Sequence, residues 1–387
     1  MVTTALSPLG PTAAASVWLF IARFSGLLAV LLTYALARRL GGRVAGLIAA
    51  ATLLLATEFL FNVVRGDSEG LLVALTFGAI LAQLDGHPRA ALLIGFAAGL
   101  LRPEVWPLIG LHGVWVVHTS RRSTTALLVI GGGIAMVALW IVPELIGSGD
   151  ALRAASRAQN PVTGSPGSRA FPFGATFANA SGALWWPAYA GALAAVAQAY
   201  RARPRDRTVL VIAAGATLQM VTVAALAQLG TTGNLRYVTL PFAGLCVLGG
   251  IGLTLLWRAI WRAGILRWTA LLLIPTAAAG LVVQIADAAN QAHVLANNED
   301  IYGHELPRLI RAAGGPSAIR KCGPVSTTPF ARQALARRLD LTQESVHTSP
   351  MQTGTFLGRP GRTARQTGLP VRLRTATFVL RSSCRLG

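Results

Sequence analysis

The sequence predicts an all-α polytopic membrane protein of about ten transmembrane or half-membrane helices, with a small α/β appendage at its C-terminal end. Three observations lead there. Of 387 residues, 53% are hydrophobic and 12% charged, with a mean hydropathy of +0.56; soluble domains carry about 25% charged residues. Apolar runs recur near the roughly 20 residues that cross about 30 Å of hydrocarbon. Arginines gather after every second run, as they do when the loops of a membrane protein alternate between cytoplasm and exterior.

The runs that read as spans are 17–38, 43–63, 68–84, 89–101, 104–118, 124–146, 180–200, 208–228, 236–257 and 268–287. Arg38, Arg39, Arg43, Arg89, Arg121, Arg122, Arg201, Arg203, Arg205, Arg207, Arg258, Arg262 and Arg267 follow odd-numbered spans, against Arg65, Arg153, Arg157, Arg169 and Arg236 in the opposite loops. The thirteen-to-five split assigns the first set to the cytoplasm. A multi-pass protein of the plasma membrane is expected, with both termini outside. The segment 89–118 must make two passes to keep that pattern. Its first half, 89–101, reaches only about 20 Å at 1.5 Å per residue. The break at Arg102-Pro103-Glu104 is therefore expected at membrane depth, where irregular backbone survives only against protein or a water-filled cavity.

Residues 1–290 read as the membrane domain and 291–387 as an extracytoplasmic one. In the tail, 301–387 carries 14 Lys+Arg against 3 Asp+Glu. Residues 303–313 and 329–340 read as helices and 371–380 as a strand, by partial alternation. Cys246 falls in a span and reads as packing. Cys322 and Cys384 both fall outside, where an oxidising space allows a disulfide, although spacing does not fix its geometry. The net charge of +20 lies in short loops and in this tail. Such blocks face membranes or solvent more often than nucleic acid, so no nucleic-acid partner is expected.

Charged groups near membrane depth are candidates for function. Asp67 and Glu69, in Arg65-Gly66-Asp67-Ser68-Glu69, could share a divalent metal ion through hard oxygens, or cap the third span. Arg102 and Glu104 flank Pro103, either as an ion pair locking the kink or as site residues. Arg236-Tyr237 opens the ninth span; a guanidinium fork suits a phosphate, and Arg with Tyr also anchors at interfaces. Arg23 either pairs with Glu58 or, the favoured reading, marks the outer end of a shorter first helix. His112 reads as a core histidine. The loop 147–179, with Asn160-Pro-Val-Thr-Gly and Phe171-Pro-Phe-Gly, reads as an acceptor-side loop or a linker. No P-loop, zinc spacing, nucleophile elbow or dinucleotide fingerprint occurs.

Over residues 17–290 these motifs, in this order, resemble the GT-C superfamily of integral membrane glycosyltransferases, which includes protein O-mannosyltransferases, aminoarabinose transferases and oligosaccharyltransferases. The resemblance rests on Arg23 opening a helix that ends Ala37-Arg-Arg-Leu-Gly-Gly-Arg43. It rests also on Arg65-x-Asp67-x-Glu69, on Gly95-Phe-Ala-Ala-Gly-Leu-Leu-Arg102-Pro-Glu104, and on Arg236-Tyr237-Val-Thr-Leu-Pro241. It implies inverting transfer of a sugar from a polyprenyl-phosphate donor to an extracytoplasmic glycan, lipid or protein acceptor. A carboxylate would take the acceptor's proton while cations stabilise the leaving phosphate. On this reading Arg65, Arg102, Glu104, Arg236 and Tyr237 form the substrate and lipid-phosphate site, with membrane lipids around it. Asp67 and Glu69 match an acidic pair that contacts a divalent metal in some members, and they are the candidate catalytic carboxylates.

The sequence departs from the family in one respect. The family's principal acidic motif lies in the first outer loop, whereas no Asp or Glu precedes Glu58 here. Residues 1–16 carry no signal with a basic n-region. The sequence reading therefore expects a missing first helix and outer loop, and with them the principal base, in a truncated or inactive chain. The alternatives are a multi-pass transporter or lipid flippase, which calls for an internal repeat or paired broken helices, and a non-catalytic cell-envelope membrane protein.

Overall fold

The computed structural model describes residues 6–9, 11–120, 122–159, 161, 164–202, 206–262, 267–328, 331–349 and 351–385. Arg121, Asn160, Val162, Thr163, Arg203 and Arg205, used in the sequence reading, lie outside them. The chain divides into two compact units, Met1–Ala289 and Asn290–Gly387.

The first unit is helical: α1 (Pro11–Gly41), α2 (Arg43–Leu55), α3 (Thr57–Arg65), α4 (Glu69–Leu84), α5 (Pro88–Leu101), α6 (Trp106–Ser120), α7 (Ser123–Ser148), α8 (Arg153–Ala158), α9 (Pro172–Ser181), α10 (Trp186–Arg201), α11 (Arg207–Gln228), α12 (Thr239–Arg262) and α13 (Arg267–Glu299). Among the described residues, Ala13–Gly41, Ser123–Gly147, Arg207–Gln228 and Leu235–Arg262 are long and apolar enough to cross a membrane. The pair α2–α3, bent by 65°, adds a fifth as a broken span. The segments α4 and α5 are apolar but short. At 14 to 16 residues they reach about 21–24 Å, less than the hydrocarbon thickness.

Three expected boundaries differ. The run 43–63 is interrupted at Ala56, whose extended ψ of 106° ends α2. The run 180–200 starts only at Trp186, with Pro187 in the first helical turn, and residues 172–181 form the separate α9. The loop 147–179 is thus largely structured in its described part, holding α8, a 3-10 turn at Pro166–Ser168 and α9.

The centre of the unit is α12. Gly249 and Gly252 on one side, and Gly250 on another, admit neighbouring backbones. A Cβ added at Gly252 would strike the carbonyl oxygen of Gly191 in α10, and one at Gly250 would strike that of Ala45 in α2. Between helices in lipid, where apolar surfaces have no water to escape, such close approach supplies the dispersion contact that holds a bundle together. Leu240, Ala243, Cys246, Val247 and Leu248 are buried along the same helix.

The second unit carries a five-stranded sheet ordered β2-β1-β3-β5-β4. Strand β1 (Val325–Ser326) runs parallel to β2 (Val346–His347) and β3 (Thr355–Gly358). Strand β5 (Val379–Ser382) runs antiparallel to β3 and to β4 (Val371–Arg374). Helices α14 (Leu306–Ala312), α15 (Gly315–Lys321), α16 (Arg332–Arg338) and α17 (Arg362–Gln366) complete it. Leu306, Ile319, Leu335, Leu339, Leu357, Phe378 and Leu380 are buried in its core. The single strand expected over 371–380 is instead a hairpin. The Thr375 amide donates to the Phe378 carbonyl at 2.9 Å, closing a turn that reverses the chain. Cys322 and Cys384 form a disulfide with Cα atoms 5.9 Å apart, within the usual span of such bridges.

Candidate functional site

Three helix breaks bring the charged motifs together. The first lies between α3 and α4. Gly66 takes the left-handed conformation (φ 83°, ψ 26°) that ends α3, which glycine adopts without a Cβ penalty. Its amide and that of Asp67 return to the carbonyls of Val63 and Asn62, the usual closure of a helix end. Trp18 Nε1 donates to the Gly66 carbonyl at 2.8 Å, and Arg23 Nη2 to the Val64 carbonyl at 3.2 Å. Arg23 therefore caps the end of α3. The turn makes Ser68 the N-cap residue of α4 and Glu69 its first residue; no side chain caps that helix. The capping role open to Asp67 is not formed. Asp67 Oδ2 lies 3.8 Å from Arg65 Nε and accepts no hydrogen bond.

The second break lies between α5 and α6. Pro103 excludes its predecessor from the helical region. Arg102 is extended (φ −146°, ψ 115°), and a 3-10 turn, Pro103–Val105, leads into α6. Arg102 thus leaves the helix and donates through Nη2 to Glu69 Oε1. The Arg102–Glu104 pair that could lock the kink is not formed. The third break is the 3-10 turn Leu235–Val238 ahead of α12, which carries Arg236 and Tyr237.

Glu69 is fully buried. One of its oxygens meets both Arg102 and, at 4.0 Å, Arg236 Nε. Both guanidiniums stand on the Tyr237 ring, 4.8 and 5.0 Å from its centre. Arg236 Nη2 donates to the Tyr237 hydroxyl at 3.4 Å, and Arg236 Nε has no hydrogen-bond acceptor. Asp67 also acts electrostatically on Glu69 and Arg236 and stands beside Arg65, so Arg65, Arg102 and Arg236 outnumber the two carboxylates by one positive charge. Arg236, 39% exposed, is the member of the cluster from which a ligand can still draw hydrogen bonds.

The other expected residues fall around this cluster. Arg65 lies over the Phe61 ring at 5.0 Å, half-exposed beside Asp67. Glu104 points elsewhere. It lines a recess of about 30 Å³ with Ala158, Val223, Leu226, Thr231 and Tyr237, and its Oε2 has no hydrogen-bond donor. His112 stacks on Trp115 within α6, as a packing residue does. Sequence reasoning missed Trp18 and Thr231; the run Gly230-Thr-Thr-Gly233, a turn immediately ahead of Arg236, was the available signal.

A divalent metal does not suit the acidic pair. The Glu69 carboxylate shows no exposed surface, one oxygen is held by Arg102, and two guanidiniums beside it oppose a second cation. Among the described residues no group of three His, Cys, Asp or Glu side chains gathers where an ion could be held. The same burial makes Glu69 a counter-ion that fixes two arginines, and a poor general base.

No protein-family model and no curated protein matches the sequence. Two solved structures share its architecture. ArnT from Cupriavidus metallidurans in the apo state superposes with a TM-score of 0.56 at 15% identity, covering 98% of this chain and 86% of that one. ArnT bound to undecaprenyl phosphate gives 0.55 at 15% identity, covering 100% and 87%. The chain has the fold of ArnT. The likeness spans the membrane helices and the small C-terminal sheet alike.

Proposed function

We propose that this chain is a membrane glycosyltransferase that moves a sugar from a polyprenyl-phosphate donor to an acceptor hydroxyl outside the plasma membrane. The observation that carries the reading is the Arg102–Glu69–Arg236–Tyr237 cluster, a partly exposed guanidinium with a net positive surround in a fold shared with a protein that binds undecaprenyl phosphate. In this reading Arg236 holds the lipid phosphate. Glu69 and Tyr237 fix the Arg236 fork, and Arg102 holds Glu69 in place by its hydrogen bond. Transfer breaks the bond from the sugar's anomeric carbon to the phosphate oxygen and forms one to the acceptor oxygen. The electron pair of the broken bond stays on the phosphate, where Arg236 meets the developing charge in place before reaction. The acceptor's proton passes to a carboxylate. Asp67 serves best among the described candidates, because its Oδ2 accepts no hydrogen bond and stands 3.8 Å from Arg65 Nε.

The test is binding of undecaprenyl phosphate to the full chain in lipid nanodiscs. Loss of a charge-assisted hydrogen bond costs about 1.5–3 kcal/mol, so Arg236→Ala should weaken binding about 10- to 150-fold. Arg236→Lys should recover part of it, since a point charge lacks the fork. Unchanged binding by Arg236→Ala would remove the residue from the site, and the proposal with it.

A further inference from the structure

Glu104 has no role in the cluster just described, yet it lines the same recess as Tyr237. Its Oε2 is shielded from solvent and has no donor. A carboxylate oxygen in that condition loses its hydration without replacement, one of the more expensive states a side chain can hold. We propose that the recess is a subsite for a hydroxyl group of the sugar carried on the lipid phosphate, with Glu104 as the hydrogen-bond acceptor. The inference rests on the donor reading above.

Five features select that ligand. An ionised carboxylate only accepts hydrogen bonds, so it repels the phosphate itself and calls for a donor. Arg102 and Arg236, one ring away on Tyr237, already supply positive charge and disfavour a further cation. About 30 Å³ holds one or two water-sized groups, enough for a hydroxyl or a hydroxymethyl and too little for a sugar ring. Ala158, Val223 and Leu226 give the remaining wall an apolar lining, and Thr231 adds a second polar residue to it. The sugar is bonded directly to the phosphate. With the phosphate on Arg236, a substituent of that sugar lies within one tyrosine's breadth of the recess. An acceptor molecule is under no such constraint.

The experiment compares undecaprenyl phosphate with a panel of undecaprenyl-phosphate hexoses and pentoses, bound to the full chain in nanodiscs. Expected is at least one glycoside that the unaltered protein binds about 10-fold or more tightly than the bare lipid phosphate. Glu104→Gln should erase that preference while leaving affinity for the bare lipid within about twofold. Ala158→Leu, which fills the recess from an exposed helix and keeps the carboxylate, should do the same and guards against a folding defect in Glu104→Gln. The proposal is overturned if no glycoside exceeds the bare lipid, or if both variants keep the preference. It is overturned too if Glu104→Gln loses bare-lipid binding in parallel, since Glu104 would then support the phosphate site. Absence of any lipid-phosphate binding by the unaltered protein defeats the donor reading as well, whereas bare-lipid binding that no glycoside improves defeats this proposal alone.

Discussion

The two ends of α4 each carry an ion pair, and they differ in kind. At its start, Glu69 and Arg102 are 0% and 13% exposed; at its end, Asp85 and Arg39 are 52% and 41% exposed. Both pairs suit local chemistry. Glu69 sits at the positive end of the helix dipole, and Arg39 also donates to the Leu84 carbonyl at 2.8 Å, where the dipole is negative. Only the first pair is removed from water. A buried pair gains little over an apolar substitute but becomes very costly when one partner is lost. An exposed pair is screened and contributes about 0–1 kcal/mol. Identical contacts on one helix therefore carry opposite meanings: one fixes a geometry, the other decorates a surface.

Substitutions can break that contrast in order of size. Arg102→Ala strands the Glu69 charge and should destabilise the protein by about 3–5 kcal/mol, seen as a lowered unfolding midpoint in detergent. The double substitution Glu69→Gln with Arg102→Met sharpens the point. It should recover most of that stability, because it removes both charges, while polyprenyl-phosphate binding stays impaired because Arg236 has lost its fixed partner. If binding recovers along with stability, the cluster is structural and no ligand uses it. Asp85→Asn should shift stability by less than about 1 kcal/mol, and added salt should shrink the effect further. A loss as large as that of Arg102→Ala would refute the distinction.

A third carboxylate, Glu305 in the second unit, extends the series to its weakest member. Its slight burial alone would raise its pKa, but hydrogen bonds from Thr375 and Thr377 prevail and hold it below the usual carboxylate value. The Thr377 amide donates to it at 3.0 Å. A depressed folded pKa contributes stability that is fully present above the ordinary carboxylate range and lost as pH falls through the depressed value. Glu305→Gln should therefore flatten the acid side of the stability profile slightly, with no change near neutral pH.

The sequence exposed the membrane helices because apolar length and arginine spacing are local, one-dimensional properties. The ArnT-like fold was legible for a related reason: its motifs sit at helix breaks marked by Gly66, Pro103 and the turn before Arg236. Pairing was not legible. Arg102 has Glu104 two residues away and Glu69 on another helix. Only the extended backbone before Pro103 decides for the distant partner. Likewise Asp67 has the chemistry of a cap, yet the left-handed Gly66 makes Ser68 the residue at the helix start. The break at Ala56 left no proline or glycine to betray it. The hairpin at 371–382 hid inside an alternating pattern because its turn, Thr375 to Phe378, is built from residues that also favour strands.

Cys322 precedes β1 and Cys384 follows β5, 62 residues later. Every strand of the sheet thus lies inside one covalent ring. A protease that cut once within it, for instance at the exposed Arg359, would release no fragment. The nicked protein should migrate as one band on a denaturing gel without reductant and as two with it. Damage to this part of the chain would then stay invisible in mass until a thiol arrived.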